Sequence, residues 1–546
     1  MQPNFTAAFF IFPIAFCAVP CDNTIKLIPF TKELIVNIQI NQLGYTPAMK
    51  KVAVMHGVLA DELRVTDASG KTVLTVSVTP DRTDIWGDQV ATADFSALTR
   101  PGMYTLHCGE EASWPFSIAD APYQDCLTAL VDMFYYQRCG GDLDERAGVF
   151  AHPACHATPA RIYGTEEYIE VSGGWHDAGD FGRYIVPAAK AVADLLLAWQ
   201  WNPSAFAKPG LTPLLDEARW ELEWMLKMQR TDGGVYHKVS CARFCGMIMP
   251  HEEKEELIVS PVSTTATGDF AACMAMASRF YTENDPAFAH RMREAAQRAW
   301  NFLQQSEPIL FRNPEGISTG GYGVGSDADE RLWAHVELAL TCGDEKYFSA
   351  AREALLAQNH DFVSLGWGNV SGYAALEGLS LPGELGAFCR QWVLTAADKA
   401  LTRINAYGIT MTERLPWGSN MNISDDGMVF YQAWLLTGKE AYRTAAEQQL
   451  HYLLGVNPVD YCYVSCFGSN PMLHPHHRPS VALGVCQPGM LSGGAASGMM
   501  DACARAYLQG QPAGKSFIDK CESYSTNEIC VYWNSPMAAL LAGLIR

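Results

Sequence analysis

The chain is 546 residues long, 49% hydrophobic and only 18% charged, with a formal net charge of −20. An acidic surface without clustered Lys or Arg argues against nucleic acid or an anionic membrane as partner and suits a neutral or cationic ligand. No run reaches the roughly 18 apolar residues of a membrane span, and the length exceeds one ordinary domain, so a large core plus a smaller module is expected.

Residues 1–36 read as a signal-like or non-native leader. The apolar run "AAFFIFPIAFCAVPC" resembles a signal core, but no basic segment precedes it and Pro13 interrupts it. The 17 cysteines are scattered through apolar helical segments, as at Cys126, Cys273, Cys389 and Cys503. That pattern predicts buried thiols in a reducing compartment rather than a disulfide framework. The expected location is cytoplasmic, with secretion as the alternative.

From 37 to 119 the pattern is short and alternating: "IQINQLGY", "KKVAVMHG", "ELRVTDASG", "KTVLTVSV", "GMYTLHC", each broken by Gly, Pro, Asp or Ser. Strands of this kind at about 10-residue spacing predict an all-β sandwich. From 123 to 546 the period turns helical, as in "VPAAKAVADLLLAWQW", "HRMREAAQRAWNFLQQ" and "AYRTAAEQQLHYLLG". Many of these helices are apolar on more than one face, which predicts two packed layers, naturally a double ring. Long loops rich in Gly, Trp, Tyr, His and Asp separate them, and loops of that length in a compact domain are usually functional.

Three loops concentrate reactive side chains. "SGGWHDAGDFGRY" (172–184) holds Asp177 and Asp180, which read either as helix caps or as acids aimed into one cavity. "YSTNEICVYWNSP" sets Glu528 among aromatics, where partial burial would raise a carboxyl pKa toward that of a general acid. "FGSNPMLHPHHRPS" brings His474, His476, His477 and Arg478 together. Neighbours one or two apart rarely converge on one zinc ion, so hydrogen bonding to sugar hydroxyls by His476 and Arg478 is the preferred reading. Trp175, Tyr236, Trp333, Trp367, Tyr373 and Trp417 lie in or beside the loops, and as a set they suggest platforms for pyranose rings.

These segments, with "NQLGYTP", "TDGGVYHKVS", "TTATGDFAACMAMASRFY", "DERLWAHVEL" and "VSCFGSNPMLHPHHRPS", resemble glycoside hydrolase family 9, in the branch with an N-terminal immunoglobulin-like module. The resemblance runs from about Asn37 to the C-terminus. It implies an immunoglobulin-like sandwich (37–119) followed by an (α/α)6 barrel (123–546) that hydrolyses β-1,4-glucosidic bonds with inversion, as an endoglucanase or cellulase. An exo-acting cellodextrinase, β-glucosidase or glucosaminidase, its cleft plugged by 241–262 or 311–326, is the alternative.

Residue by residue, the resemblance implies Asp180 as general base, Asp177 as holder of the attacking water, Glu528 as general acid, and His476 with Arg478 as the active-site His-x-Arg pair. Trp533 falls at a sugar-stacking position. Cys139, Cys155, His156 and His176 resemble a structural zinc site, with Cys241 and Cys245 a weaker candidate. Gly268, Asp269 and Asp329 correspond to a calcium region. No cofactor is expected for the chemistry itself, and a monomer acting on soluble or amorphous β-glucan or cello-oligosaccharide is expected. The sequence departs from the family at Cys530, where a smaller residue is usual, and at "SCFG".

Overall fold

The computed structural model describes residues 38–57, 61–207, 213–358 and 361–545. The leader assigned to 1–36 lies outside the described residues. Nine strands form the first module: β1 (Ile38–Gln39), β2 (Val52–His56), β3 (Glu62–Asp67), β4 (Thr72–Ser77), β5 (Thr79–Thr83), β6 (Gln89–Asp94), β7 (Gly102–Cys108), β8 (Glu111–Ala112) and β9 (Phe116–Ile118). They make two sheets, β1-β2-β6-β5 and β4-β3-β7-β8, with β9 pairing β7. Alternation sets the faces: in β3, Leu63 and Val65 are buried while Glu62 and Arg64 are exposed. Tyr45 centres the core, edge-on to Phe95 at 5.5 Å and to Phe116 at 5.6 Å.

Among the described residues, twelve helices of the second module form its two layers. The inner layer is α2 (Ile185–Trp201), α4 (Thr264–Tyr281), α6 (Ala328–Cys342), α8 (Ser371–Glu377), α10 (Ser419–Thr437) and α12 (Val531–Leu544). The outer layer is α1 (Gln124–Tyr136), α3 (Leu214–Lys227), α5 (Pro286–Gln305), α7 (Glu345–Leu356), α9 (Gly383–Leu401) and α11 (Glu440–Leu453). Helix α2 is buried continuously from Ile185 to Ala198, as an all-round apolar sequence requires. Helix α5 instead buries one stripe, Phe288, Met292, Ala295, Ala299 and Leu303, and is capped by Asp285, whose carboxylate accepts from the Phe288 N–H at 3.0 Å. Helices α2, α4, α6 and α8 follow one another, and α12 packs on both α2 and α10, so the last helix closes the ring.

The two modules share contacts through the "NQLGY" turn. The Asn41 amide reaches Tyr123 Oη (3.1 Å) and His451 Nδ1 (3.0 Å), Gln42 donates to the Asp460 carbonyl (2.8 Å), and Trp114 donates to the Asp460 carboxylate (2.8 Å). Short strands at 160–162, 168–169, 183–184, 238–240 and 258–259 form a small sheet over one end of the barrel. Among the described residues no helix is long and apolar enough to cross a membrane.

Candidate active site

Backbone hydrogen bonds join the three reactive loops at that end of the barrel. Val531 N donates to Asp177 O (2.8 Å), His476 N to Asn527 O (2.9 Å), Arg478 N to Gly179 O (3.2 Å) and Gly493 N to Glu528 O (2.8 Å). Gly179 has to be glycine: a Cβ there would lie 2.0 Å from the His476 carbonyl oxygen. Neither aspartate caps a helix, because α2 begins only at Ile185, after the strand pair of Arg183–Tyr184 with Lys238–Val239.

The carboxyls differ in their surroundings. Asp180 Oδ2 accepts from the Gly182 N–H (3.0 Å) and the Tyr184 hydroxyl (3.4 Å). Burial raises its pKa, while the Arg478 guanidinium and the Gly182 N–H favour the carboxylate. Glu528 is pushed well above the usual glutamate value, first by burial and then by Asp180 and Asp177. Asp177 is also driven up by burial and by Asp180; its Oδ2 accepts from the Tyr322 hydroxyl and its Oδ1 has no protein partner. Arg478 favours the ionised form of both Asp180 and Glu528, and burial with the two aspartate charges still drives Glu528 well above its usual value, which suits a proton held on Glu528.

The three histidines point apart and do not converge on a metal. His474 binds Asp519 at 3.1 Å, and His477 lies between Ser480 Oγ (2.8 Å) and Gln137 Oε1 (3.2 Å), pushed down to about 3 by burial. His476 Nδ1 lies 2.6 Å from the Cys521 carbonyl and so carries the hydrogen; burial keeps the ring neutral, which leaves Nε2 as an acceptor.

The aromatic set divides. Trp333 and Tyr373 are not platforms: both are 0% exposed, stacked on each other at 4.8 Å and hydrogen-bonded to Glu337 and Asp194. They belong to the barrel core, between inner helices. Trp533 is buried under Gly418 and Gly493, and Trp175 donates to Glu217 from the core. Tyr236 has Arg230, Glu167 and Asp232 as its charged neighbours, not the three acids. Trp367 does reach the site, edge-on to Tyr322 at 5.0 Å, and Trp417, 44% exposed, lies 5.7 Å from Tyr524, which in turn lies 6.0 Å from His476.

Sequence reasoning missed Tyr322, Lys238, Tyr524 and Phe244. Tyr322 takes a left-handed backbone (φ 47°) that no local signal announces. Lys238 Nζ donates to Asn313 (2.7 Å), Thr319 (2.9 Å) and the Gly320 carbonyl (2.5 Å), holding the loop that presents Tyr322; burial lowers its pKa to about 7. Phe244, half exposed, lies 5.5 Å from the Arg478 guanidinium and lines a small cleft with Asp180, Cys241, Cys245 and Glu253.

Cys139, Cys155, His156 and His176 converge, with ligand atoms all within 4.8 Å of one another. Cys139 Sγ lies 3.7 Å from His156 Nδ1 and Cys155 Sγ 3.7 Å from His176 Nε2; Glu253 orients His156 through Nε2 at 3.0 Å. Two thiolates and two imidazoles fit a tetrahedral soft cation, with Glu253 behind one ligand. The calcium assignment changes in detail. Gly268 lies inside α4 and makes room for the Glu330 side chain, whose Cβ would lie 2.6 Å from a Cβ at 268; Asp329 accepts from the Val370 N–H at 2.8 Å. The oxygens left without partners are those of Asp269 and Glu330, all four buried. Cys241 and Cys245 face Glu253 and do not belong to the four-ligand cluster.

A double ring of helices whose loops gather three buried carboxyls, one of them strongly inclined to keep its proton, has the layout of a glycoside hydrolase. The family model described as "Glycosyl hydrolase family 9" matches residues 123–541, and one described as "Cellulase N-terminal ig-like domain" matches residues 36–113. A cellodextrinase of Butyrivibrio fibrisolvens is 35% identical over 546 residues, covering 93% of this chain and 100% of the relative. A single mutant of a thermostable endoglucanase from Alicyclobacillus acidocaldarius has 38% identity and a TM-score of 0.88, covering 94% of this chain and 100% of that one. A Zn-binding triple mutant of a family 9 endoglucanase has 30% identity and a TM-score of 0.87, covering 92% and 99%. The chain belongs to glycosyl hydrolase family 9.

Proposed function

We propose that the enzyme hydrolyses β-1,4-glucosidic bonds of cello-oligosaccharides and β-glucans as an endoglucanase, by single displacement with inversion. Asp180 takes a proton from water, Asp177 Oδ1 holds that water, and Glu528 protonates the leaving oxygen; Arg478 and neutral His476 bind sugar hydroxyls. The observation that carries this reading is the gathering of Asp177, Asp180 and Glu528 with His476 and Arg478 on loops joined by backbone hydrogen bonds, with Glu528 pushed well above its usual value by burial and by the two aspartates. Single displacement needs roughly 6.5–9.5 Å between base and acid so that a water fits between them. Proton NMR of cellohexaose hydrolysis is expected to show the α-anomer first; an initial β-anomer would refute inversion.

One observation favours the exo-acting reading. Arg478 Nε and Nη2 donate to the Cys245 carbonyl (3.3 and 3.2 Å), so the loop after Ser240 lies against the binding arginine. In the same hydrolysis, an endo enzyme yields mixed oligosaccharides early, and release of one product from one end would select the cellodextrinase.

Zinc in the Cys139, Cys155, His156 and His176 cluster would brace the backbone directly before Asp177, and Asp269 and Glu330, with Asp329 beside them, would hold calcium. Zinc and calcium here supply rigidity and no reacting group. Chelation is expected to lower the melting temperature by more than 5 °C while initial kcat on intact protein falls less than threefold. Zinc should restore the first part, and calcium the second unless Asp269→Asn is present; a larger loss of kcat than of stability would contradict the structural role. The buried thiols Cys126, Cys273 and Cys389 suit a reducing, cytoplasmic setting for this chain.

A further inference from the structure

The loop bearing His474, His476 and Arg478 runs from Cys466 to Cys486, and its two ends lie side by side. Val464 bridges Leu491 in antiparallel fashion, Ser465 N donates to Met490 O (2.9 Å) and Gly489 N donates to Ser465 O (3.1 Å). The Cys466 thiol lies 3.7 Å from the Cys486 carbonyl oxygen, and the Cys486 thiol 3.7 Å from the Gln487 carbonyl oxygen. Cys466 is exposed and Cys486 partly buried.

The backbone of Cys466 is left-handed, φ 64°. A non-glycine residue adopts that conformation at a cost, and glycine would relieve it. A strained position occupied by a thiol, with a second thiol against it, points to the sulfur as the reason for the residue.

We propose that Cys466 and Cys486 are an oxidative modification site, converted by a peroxide-class oxidant into a disulfide that clasps the base of the catalytic loop. The Cys466 thiolate attacks one oxygen of hydrogen peroxide; the O–O bond breaks and the departing hydroxide takes a proton to leave as water, leaving Cys466 as a sulfenic acid. Cys486 then attacks that sulfur; the S–O bond breaks, the S–S bond forms, and the hydroxyl leaves as a second water with the Cys486 proton. The two thiols lose two electrons and the peroxide gains two.

The order of the steps follows from the pair. Interaction with the neighbouring Cys486 thiol lowers the Cys466 pKa below the usual thiol value, whereas Cys486, facing a developing thiolate and buried, is raised. Closing a loop of about 20 residues removes conformational freedom from the unfolded chain. His476 and Arg478 keep their own anchors, the Cys521 and Gly179 carbonyls.

The test is stoichiometric hydrogen peroxide on the purified full chain, followed by alkylation, chymotryptic digestion to cut after Phe467 and Leu473, and peptide mass mapping. A Cys466–Cys486 cross-link is expected, with a melting temperature several degrees higher, both reversed by dithiothreitol. Cys486→Ser should yield no cross-link and leave sulfenic acid on Cys466, trapped with dimedone, which a second equivalent of peroxide carries to sulfinic acid. Sulfinic acid on Cys466 of the unmodified sequence, a link to any other cysteine, or oxidation elsewhere without this link would overturn the proposal, and each is read without needing the variant to fold.

Discussion

Glu528→Gln is expected to lower kcat on cellohexaose by about 10³-fold, within the 10²–10⁴ range of a general acid, with KM changed little. The same variant should hydrolyse 2,4-dinitrophenyl β-cellobioside at close to the wild-type rate, because that leaving group departs without a proton. Equal losses on both substrates would show that Glu528 is not the acid. The pH profile adds a sign. Burial, then the charges of Asp180 and Asp177, hold the Glu528 proton above the usual glutamate range, so the wild-type alkaline limb lies above pH 4.5 by that displacement and activity falls as pH rises through it. The wild type should show that limb on cellohexaose and not on the activated substrate, and Glu528→Gln should lack it on both. Unfolding cannot mimic this result. A carboxyl whose folded pKa is raised contributes stability below its unfolded pKa and loses it as pH rises through the folded value, so at neutral pH the glutamine should be at least as stable. Its backbone bond from Gly493 N is untouched.

How far the sequence reached depended on whether the deciding contact was local. The period-two face of Leu63 and Val65 and the continuous apolar run of α2 are properties of neighbouring residues, and both were legible. Trp333 illustrates the opposite error. It stands in "DERLWAHVEL" beside Leu332 and Val336, at core spacing for a helix, and its nearness to a loop outweighed that periodicity. Gly268 entered as a cation ligand through the family resemblance, but it lies inside α4, where glycine lets Glu330 approach. Tyr322 could not be found, because its function is a hydroxyl reaching a carboxylate 145 residues away from a left-handed turn. Lys238 was hidden likewise: its strand has only three residues, too few to show a period, and all its partners come from the 313–320 loop. The acids were legible because three loops carried acid, histidine and aromatic residues in concentrated form, but which carboxyl stays ionised depends on Arg478 and on burial, which only the folded chain supplies.

Asp180→Asn is expected to cost about 10³–10⁴-fold in kcat, about 4–5.5 kcal/mol of barrier, and here the leaving group should not help. Water must still be deprotonated as it attacks, so dinitrophenyl cellobioside and cellohexaose should lose activity alike. That contrast with Glu528→Gln separates base from acid with one pair of substrates. Azide, a nucleophile with no proton to lose, should restore turnover of the activated substrate and give the inverted α-glycosyl azide. Asn can keep an oxygen for the Gly182 N–H that Asp180 now binds at 3.0 Å, so the loop geometry should survive. Asp177→Asn provides the internal comparison: its Oδ2 is engaged by Tyr322 and its Oδ1 is buried without a protein partner. If azide rescued Asp177→Asn and not Asp180→Asn, the two roles would be exchanged. The present assignment follows from Arg478, whose charge is among the influences lowering the pKa of Asp180 and is not among those on Asp177. A base must be ionised before it can act, and of the two aspartates Asp180 is the one whose ionised form Arg478 favours against the effect of burial.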